Sequence, residues 1–280
     1  MAAMTAVSPD LAVLPTTAPP QPRRFEGGVN WTGFWTLYGK EVRRFWKVGM
    51  QTVAAPVVTT LLYMMVFVVA MGGRRAVEGV SFAQFVGPGL IMMAILNNSF
   101  ANASSSLIQA KLMGTAPDFL TPPLSPAEIG VAFTLGAMTR GALVGLVTAA
   151  SVWPFAHFGI ANPAALLFFW LTASALLALV GLLTGLWSEK FDHLAAVTNF
   201  IVMPMTFLSG TFYSVRVLPE PFQTASHFNP FFYLIDGFRA GFIGHADGSL
   251  WIGAAYTGGL TLALGVLTYA LLKSGWRLKS

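Results

Sequence analysis

The stretch FNPFFYLIDGFRAGFIG, residues Phe228 to Gly244, is as apolar as a membrane span, yet it opens with Asn-Pro after its first residue and carries Asp236 and Arg239 near its centre. A spanning helix needs about 20 mostly apolar residues to cross about 30 Å of hydrocarbon. Here the charges interrupt the apolar run after only a few residues. The stretch therefore predicts something other than a simple crossing.

The composition of the whole chain places that stretch in a membrane protein. Of its 280 residues, 55% are hydrophobic and 10% are charged, and the mean hydropathy is +0.66. A water-soluble domain could not cover so much apolar material with polar surface. The basic residues flank apolar segments instead of forming one basic face, which argues against a nucleic-acid partner. Cysteine is absent, so disulfides and thiolate metal sites are excluded.

Six segments are long and apolar enough to span a membrane. They are approximately Val48–Met71, Phe85–Ile108, Ile129–Phe155, Ala164–Trp187, His193–Tyr213 and Leu250–Leu272. Basic residues are concentrated before the first segment and after the last one. An even number of crossings leaves both termini on one side, and the positive-inside rule places that side in the cytoplasm.

The N-terminal part divides into two pieces. Residues 1–30 are rich in Ala, Pro and Thr without periodicity, which is typical of a disordered cytoplasmic tail and not of a signal peptide. Over residues 31–47, apolar and aromatic side chains recur every three or four positions with charges between them. This pattern predicts an amphipathic helix in the inner interface. A cytoplasmic extension of the first span, packed on other protein, is the alternative.

Motifs for common enzyme chemistry are missing from the sequence. There is no GxxxxGK[ST], so the chain carries no P-loop ATPase, and there is no HExxH. The histidines fall in different loops and helix ends, which argues against a zinc site. Ser209 in TFLSG lacks the GxSG pattern of an intramembrane protease. We therefore expect no catalytic residue, metal or cofactor on this chain.

The second predicted span holds the densest intramembrane polarity. Asn98, Asn102 and Ser105 are spaced so that they share one helical face. This face is either the wall of a water-accessible cavity or a set of hydrogen bonds between helices. Arg140 in the third span costs about 2.5–3.5 kcal/mol at a helix centre, so it should face protein, water or headgroups. Snorkelling to phospholipid headgroups and contact with substrate both remain open for it.

The loop KLMGTAPDFLTPPLSPAEIG lies between the second and third spans. Lys111–Leu120 predicts a short cytoplasmic helix that ends before Pro122. Ser125 as N-cap, followed by a proline and by Glu128, predicts a strong start for the third span. The short helix either docks a soluble partner or belongs to an ordinary loop.

The opening stretch itself predicts a short helix. Asn229 is its N-cap, and Pro230 occupies the first helical position. Asp236 and Arg239 are three residues apart, so they can pair with each other or contact neighbours. A short apolar helix of this kind fits a re-entrant hairpin that dips from the outer surface and is shielded by protein. It would close the outer end of a pathway.

These residues resemble a known family. FNPFFYLIDGFRAGFIG resembles the signature of ABC-2 type permeases, the membrane subunits of ATP-binding-cassette exporters. PMTFLSGTFYSVRVLP and QFVGPGLIMMAILNNSFANASSSL are similar to the end of that family's fifth span and to its second span. The likeness runs from about Lys40 to the C-terminus and is closest to bacterial YadH-like permeases. It implies an all-α inner-membrane protein of the ABC-2, or type V exporter, fold, with six spans, an interface helix, a coupling helix and re-entrant helices before the last span.

The resemblance also implies function and partners. It implies two permease subunits, here a homodimer, with two separate ATPase subunits that bind ATP and Mg²⁺, in contact with membrane lipids. The coupling residues would be Lys111, Gly114, Asp118, Phe119 and Leu120. The extracytoplasmic gate would be Asn229, Pro230, Asp236, Gly237 and Arg239.

The resulting hypothesis is a permease that exports an amphipathic substrate: a lipid, a lipid-linked glycan or a hydrophobic drug. The translocation path would include Asn98, Asn102, Ser105 and Arg140. An ion-coupled secondary transporter is the alternative, although it needs ionisable groups near mid-membrane, where the sequence offers Arg140. A membrane anchor or sensor without transport activity is a third class.

Overall fold

The computed structural model describes residues 28–70, 76–77 and 79–277, and the predicted N-terminal tail lies outside them apart from its last three residues. The described part is mostly helical. In chain order its elements are α1 (Trp31–Trp46), α2 (Gly49–Ala70), β1 (Ala76–Val77), β2 (Val80–Ser81), α3 (Phe82–Leu112), α4 (Pro117–Leu120), α5 (Pro126–Ala156), α6 (Pro163–Trp187), α7 (Phe191–Val197), α8 (Met203–Phe207), α9 (Glu220–Phe228), α10 (Pro230–Ile243) and α11 (Leu250–Ser274). The two strands form a small antiparallel hairpin that leads into α3.

Four of the described helices, α2, α5, α6 and α11, are long and apolar enough to cross a membrane. The helix α3 is 31 residues long, but Asn97 and Asn98 follow its most apolar stretch and lower its hydropathy. The prediction of an all-α membrane protein is therefore confirmed at the level of helical content and apolar spans.

The fifth predicted span, His193–Tyr213, is not one continuous α-helix. A π-helical turn, Thr198–Val202, joins α7 to α8, and α8 ends at Phe207 before a turn in which Gly210 has a φ of 76°. Pro204 lacks the N–H that an α-helix would direct at the carbonyl four residues earlier, and the π turn lies directly before α8.

The helix α3 forms the centre of the bundle, packed against α5 and α6 along most of its length. Glycines permit this close approach. A Cβ at Gly181 of α6 would lie 2.5 Å from the Phe100 carbonyl oxygen, and one at Gly145 of α5 would lie 2.6 Å from a side-chain carbon of Ile95. Small residues at helix interfaces are how membrane helices gain van der Waals contact when the lipid is as apolar as the side chains.

The bundle has two ends, which we name by the short helix that each carries. The α4 end contains α1, α4 and the C-termini of α3, α6 and α11. The α10 end contains the strand hairpin, α9 and α10. Because α3 and α5 run in opposite directions and are joined through α4, their far ends both lie at the α10 end.

The helix α1 confirms the helix predicted over residues 31–47, and its side chains divide between two environments. Phe34, Leu37 and Phe45 are buried on the side that packs against α5. Trp31 and Trp46 remain 61% and 66% exposed. The helix therefore packs on the bundle and still presents large aromatic side chains outward.

Candidate functional site

The loop at the α4 end is a compact platform. The predicted helix over Lys111–Leu120 is wrong in extent: α3 continues to Leu112, the chain turns at Gly114 with a φ of 67°, and only four residues form α4. Phe119 is 2% exposed and packs edge-on against Phe133 of α5, with 5.3 Å between the ring centroids. One buried ring thus anchors α4 to a long helix of the bundle.

The exposed surface of this loop carries both charged and apolar side chains. Asp118 and Leu120 project from α4 on either side of the buried Phe119, and Leu112 and Met113 before the turn are also exposed. The same loop begins α5 with the predicted capping box between its N-cap serine and the glutamate three residues later, which is confirmed. The surface combines a carboxylate with apolar side chains on a rigid base.

Lys111 has a different environment from the other predicted coupling residues. Its ammonium group donates hydrogen bonds to the carbonyl oxygens of Gly185, Leu186 and Ser188, at 3.3, 2.8 and 2.7 Å. These carbonyls lie at the C-terminus of α6, where orphan acceptors and the helix dipole favour a cation. In this structure Lys111 therefore caps α6, and its predicted role at a partner surface stays a prediction.

The helix α1 is tied to the same platform. The backbone N–H of Asn30 donates to the Glu128 carboxylate at 2.5 Å, and the Asn30 side chain caps α1 by accepting from the N–H of Gly33. Lys40 lies over the Phe119 ring. The start of α1, the loop and the start of α5 therefore form one connected unit.

The polar face of α3 meets two arginines. Arg140 of α5 donates from Nε and Nη2 to the Oδ1 atom of Asn98, at 3.3 and 3.1 Å. Arg44 of α1 donates to the backbone and side-chain oxygens of Asn102, at 2.8 and 2.9 Å, and lies 3.4 Å from Ser105 Oγ. The predicted stripe is thus largely packed against protein, with interhelical hydrogen bonds of the kind expected in membranes.

A groove of about 320 Å³ lies beside this polar face of α3, between α2 and the π turn. Asn97 and Asn98 supply polar groups to it, and Tyr63, Met93 and Phe100 supply apolar surface. The Oδ1 atom of Asn97 is buried without a hydrogen-bond partner. Among the predicted path residues, the structure brings Asn98 to this groove.

At the α10 end, the predicted helix start is confirmed: Asn229 caps α10 and Pro230 occupies its first turn. The Asn229 amide also donates to the carbonyl of Met205 at 2.9 Å and to Ser209 Oγ at 2.7 Å. Asn229 therefore links the start of α10 to the C-terminal end of α8. Gly237, in the middle of α10, faces the ring of Phe169 so closely that a Cβ there would overlap it.

The charges of α10 point to different neighbours. Both oxygens of Asp236 accept backbone hydrogen bonds, from Asp247 at 2.9 Å and from Gly248 at 2.8 Å, so Asp236 holds the turn before α11. Arg239 donates to the carbonyls of Phe85 and Gly210, and its guanidinium carbon lies 3.9 Å from the centroid of the Phe85 ring. Asp236 and Arg239 are 3% and 2% exposed.

A family model described as the ABC-2 type transporter matches residues 32–243 of the chain. The chain belongs to the ABC-2 type transporter family. The match includes α1 through α10, so it covers both the α4 platform and the α10 cluster. Membership implies an ABC transporter with an ATPase partner, in which this ABC-2 chain is a membrane transport component.

Several relatives of this ABC-2 protein align over most of their length. It is 34% identical over 254 residues to the inner membrane transport permease YadH of Escherichia coli K12, an alignment that covers 90% of this chain and 99% of YadH. It is 25% identical over 226 residues to nodulation protein J of Rhizobium leguminosarum bv. viciae, which covers 78% and 84%. Together with the apolar helices, these relatives support a multi-pass protein of the inner membrane.

Sequence reasoning missed several members of the polar network of this ABC-2 protein. In the sequence, Arg44 is one of several basic residues before the first span, and nothing local links it to Asn102. Glu41 is 0% exposed and lies beside Gly136 of α5. Its position between the buried apolar residues of α1, at helical spacing, is the signal that places it on the buried face. Asp247 donates its backbone N–H to Asp236, and nothing in the neighbouring sequence predicts that contact.

The sequence predicts no metal chemistry on this ABC-2 chain. Across residues 28–70, 76–77 and 79–277, no three His, Asp or Glu side chains are placed to share an ion. Ser209, the serine of TFLSG, donates to the Met205 carbonyl and accepts from Asn229. Its hydroxyl is therefore part of the packing of α8 against α10.

Proposed function

We propose that this chain is the membrane permease of an ATP-driven exporter, in which separate ATPase subunits supply the energy and two copies of the chain form the transmembrane part. The observation that carries the proposal is the α4 platform. It presents Asp118 and Leu120 outward. Phe119 fixes it to α5, and the hydrogen bond from the Asn30 N–H to Glu128 fixes the same loop to the start of α1. A displacement imposed on α4 would thereby reach α1 and α5 at once.

The proposed topology has six crossings. The helices α2, α3, α5, α6 and α11 supply five, and α7 to α8 with the π turn supply the broken sixth. Both termini and the α4 end then lie in the cytoplasm, with the N-terminal tail of residues 1–30 outside the transmembrane domain of residues 31–280. The positive-inside bias of the sequence supports this orientation.

The hairpin of α9 and α10 is proposed as a re-entrant plug. Non-helical backbone at membrane depth is tolerated where protein surrounds it. The side chains of α10 from Phe231 to Gly241 are buried apart from Tyr233, so protein shields this helix as a re-entrant position would require. In this proposal, Asn229, Asp236 and Arg239 hold the plug closed until ATP-driven movement of the bundle releases it.

The proposed substrate is amphipathic. The groove between α2, α3 and the π turn offers apolar side chains next to the amides of Asn97 and Asn98. Such a groove suits a molecule with an apolar body and a polar end. A π turn bordering this groove supports the same site, since π turns often occur at functional positions.

The test is reconstitution of the permease with its ATPase subunit in proteoliposomes. We expect the two to co-purify, and the double variant Asp118→Ala, Leu120→Ala to lose most of the complex's substrate-stimulated ATP hydrolysis without loss of folding. The control is Glu189→Ala, an exposed carboxylate in another loop of the α4 end. An ATPase that is indifferent to the double variant would refute the coupling role, and transport without ATP would favour the ion-coupled alternative.

A further inference from the structure

Two guanidinium groups lie at the junction of α1, α3 and α5, and a single carboxylate offsets the charge of one of them. Arg44 Nε lies 3.3 Å from the Oε2 atom of Glu41. Arg140 donates to the neutral amide of Asn98, and no carboxylate of the described residues forms an ion pair with it. The junction site, defined as Glu41, Arg44, Asn98, Asn102 and Arg140, therefore retains one net positive charge.

The junction also contains a hydrogen-bond donor without a partner. Asn102 is 0% exposed, and its Oδ1 atom accepts from Arg44, which fixes the orientation of the amide. The opposite atom, Nδ2, has no hydrogen-bond partner in the structure. Buried polar groups are nearly always paired, and an orphan among them calls for an explanation such as a ligand.

The depth of the junction makes the unbalanced charge expensive. Arg140 stands near the middle of the 31-residue helix α5, and Asn98 stands near the middle of α3. A charged side chain at such a depth is rare and marks a functional site by default. A guanidinium presents a planar set of donors that matches carboxylate and phosphate oxygens, and the low dielectric strengthens that pairing.

One residue connects the junction to an apolar space. Asn98 accepts from Arg140 through its side chain and also lines the groove between α2 and α3, beside Tyr63, Met93 and Phe100. A molecule with its apolar part in this groove would have its polar end next to Asn98 and the guanidinium of Arg140. Arg44 is 24% exposed at its side chain, so the junction is not sealed.

We infer that the junction site binds the anionic headgroup, a phosphate monoester or diester, of an amphipathic substrate whose apolar part occupies the α2–α3 groove. Arg140 and Arg44 supply the positive charge, and Asn98 and Asn102 supply amide donors and acceptors around it. The inference rests on the proposed export function and names its substrate class.

Equilibrium binding to the purified permease in maltoside micelles tests the inference without any ATPase. The probe is dodecyl phosphate; dodecyl phosphocholine tests the need for net charge, and inorganic phosphate tests the need for an apolar part. We expect dodecyl phosphate to bind at least about tenfold more tightly than either. Equal binding of dodecyl phosphocholine would refute the claim that the site selects an anionic headgroup. Equal binding of inorganic phosphate would refute the claim that the ligand needs an apolar part.

The variants are matched by charge and position. We expect Arg140→Gln to weaken binding of dodecyl phosphate about tenfold and Arg140→Lys to retain part of it. Arg43→Gln removes an exposed arginine from the same helix as Arg44 and should change binding less than twofold. Wild-type affinity in Arg140→Gln would overturn the inference. Because that variant removes a buried interhelical link, its folding is checked by gel filtration and thermal unfolding.

A second variant keeps the inference testable if Arg140→Gln fails to fold. Glu41→Gln with Arg44→Gln removes one charge of each sign, so neither residue of that ion pair is left as a charge without its partner. It also leaves the link between Arg140 and Asn98 intact. We expect it to weaken dodecyl phosphate binding threefold or more, because the guanidinium of Arg44 no longer contacts the headgroup, and unchanged binding would overturn the inference. Selective binding of dodecyl phosphate by a permease that fails to couple to its ATPase subunit in proteoliposomes would refute the exporter function alone. An active complex whose permease shows no headgroup preference would refute this inference alone.

Discussion

The ammonium nitrogen of Lys40 lies 5.4 Å from the centroid of the Phe119 ring, which joins α1 to α4 across the surface of the α4 end. The same ring packs edge-on against Phe133 of α5. One aromatic side chain therefore contacts two helices that are far apart in sequence. This geometry links α4 to both α1 and α5 through the ring of Phe119.

Replacing Phe119 should lower the stability of the permease, whereas replacing the exposed Leu120 beside it should not. Phe119→Ala removes a buried ring, which costs about 3–5 kcal/mol in soluble cores, so we expect a lower unfolding temperature of the isolated permease. Leu120→Ala, at an exposed neighbour, should leave that temperature nearly unchanged. Thermal unfolding in detergent, followed by tryptophan fluorescence, makes the comparison. Equal unfolding temperatures for the two variants would show that the ring does not anchor α4.

Replacing Lys111 should loosen the end of α6. Lys111→Met keeps much of the side-chain length but leaves three carbonyls without their donor, and a hydrogen bond to a charged group contributes about 1.5–3 kcal/mol. We expect faster amide exchange over the last turn of α6 and the residues that follow it, measured by mass spectrometry. Lys190→Met, at an exposed lysine in the following loop, is the control. Unchanged exchange in Lys111→Met would argue against the capping role.

Replacing Asp236 should release the turn before α11. In Asp236→Asn a single amide oxygen can accept from only one of the N–H groups of Asp247 and Gly248. The side-chain NH₂ then faces the second N–H group, so two donors oppose each other. We expect a loss of about 1–3 kcal/mol, the cost of a buried group left unpaired, and faster exchange over residues 245–249. Glu220→Gln makes the same chemical change at an exposed position in α9 and should have no measurable effect on stability. The prediction fails if both variants unfold alike.

Adding one methyl group to α10 should strain its packing. Gly237→Ala places a Cβ inside the volume of the Phe169 ring, and overpacking of this kind costs about 1–3 kcal/mol. The matched control is Gly258→Ala in α11, where the nearest atom is a ring carbon of Phe168 at 3.8 Å. There alanine should be neutral or stabilise the helix by about 0.5–1 kcal/mol. Thermal unfolding of the two variants distinguishes them, and a neutral Gly237→Ala would mean that Phe169 can move aside.

Several local features of the fold were predictable because their causes are local. The capping box of Ser125 and Glu128 and the Asn229–Pro230 start of α10 both follow from side chains that satisfy the free N–H groups of a first turn. The helix of residues 31–46 followed from apolar spacing alone. These predictions are confirmed by the bounds and caps of α5, α10 and α1.

Other features depended on contacts between distant segments. The prediction for Lys111–Leu120 is wrong in extent because the chain turns at Gly114, and Phe119 then reaches Phe133 of α5. The fifth apolar segment is broken near the point where Asn229 bonds to Met205 and Ser209. In both cases a local breaker, Gly114 or Pro204, interrupts the helix, and the residue that fixes the chain after it lies outside the local sequence window.

By itself, the sequence determined that this chain is an apolar membrane protein, where most of its helices begin, and which family it resembles, because hydropathy and capping act over one or two turns. Tertiary structure alone decided that Arg44 and Arg140 meet the amides of Asn102 and Asn98, and that Asp236 holds the turn before α11. Buried charges take whichever partner the packed helices bring within hydrogen-bond distance, and helix packing depends on the shapes of all the helices together.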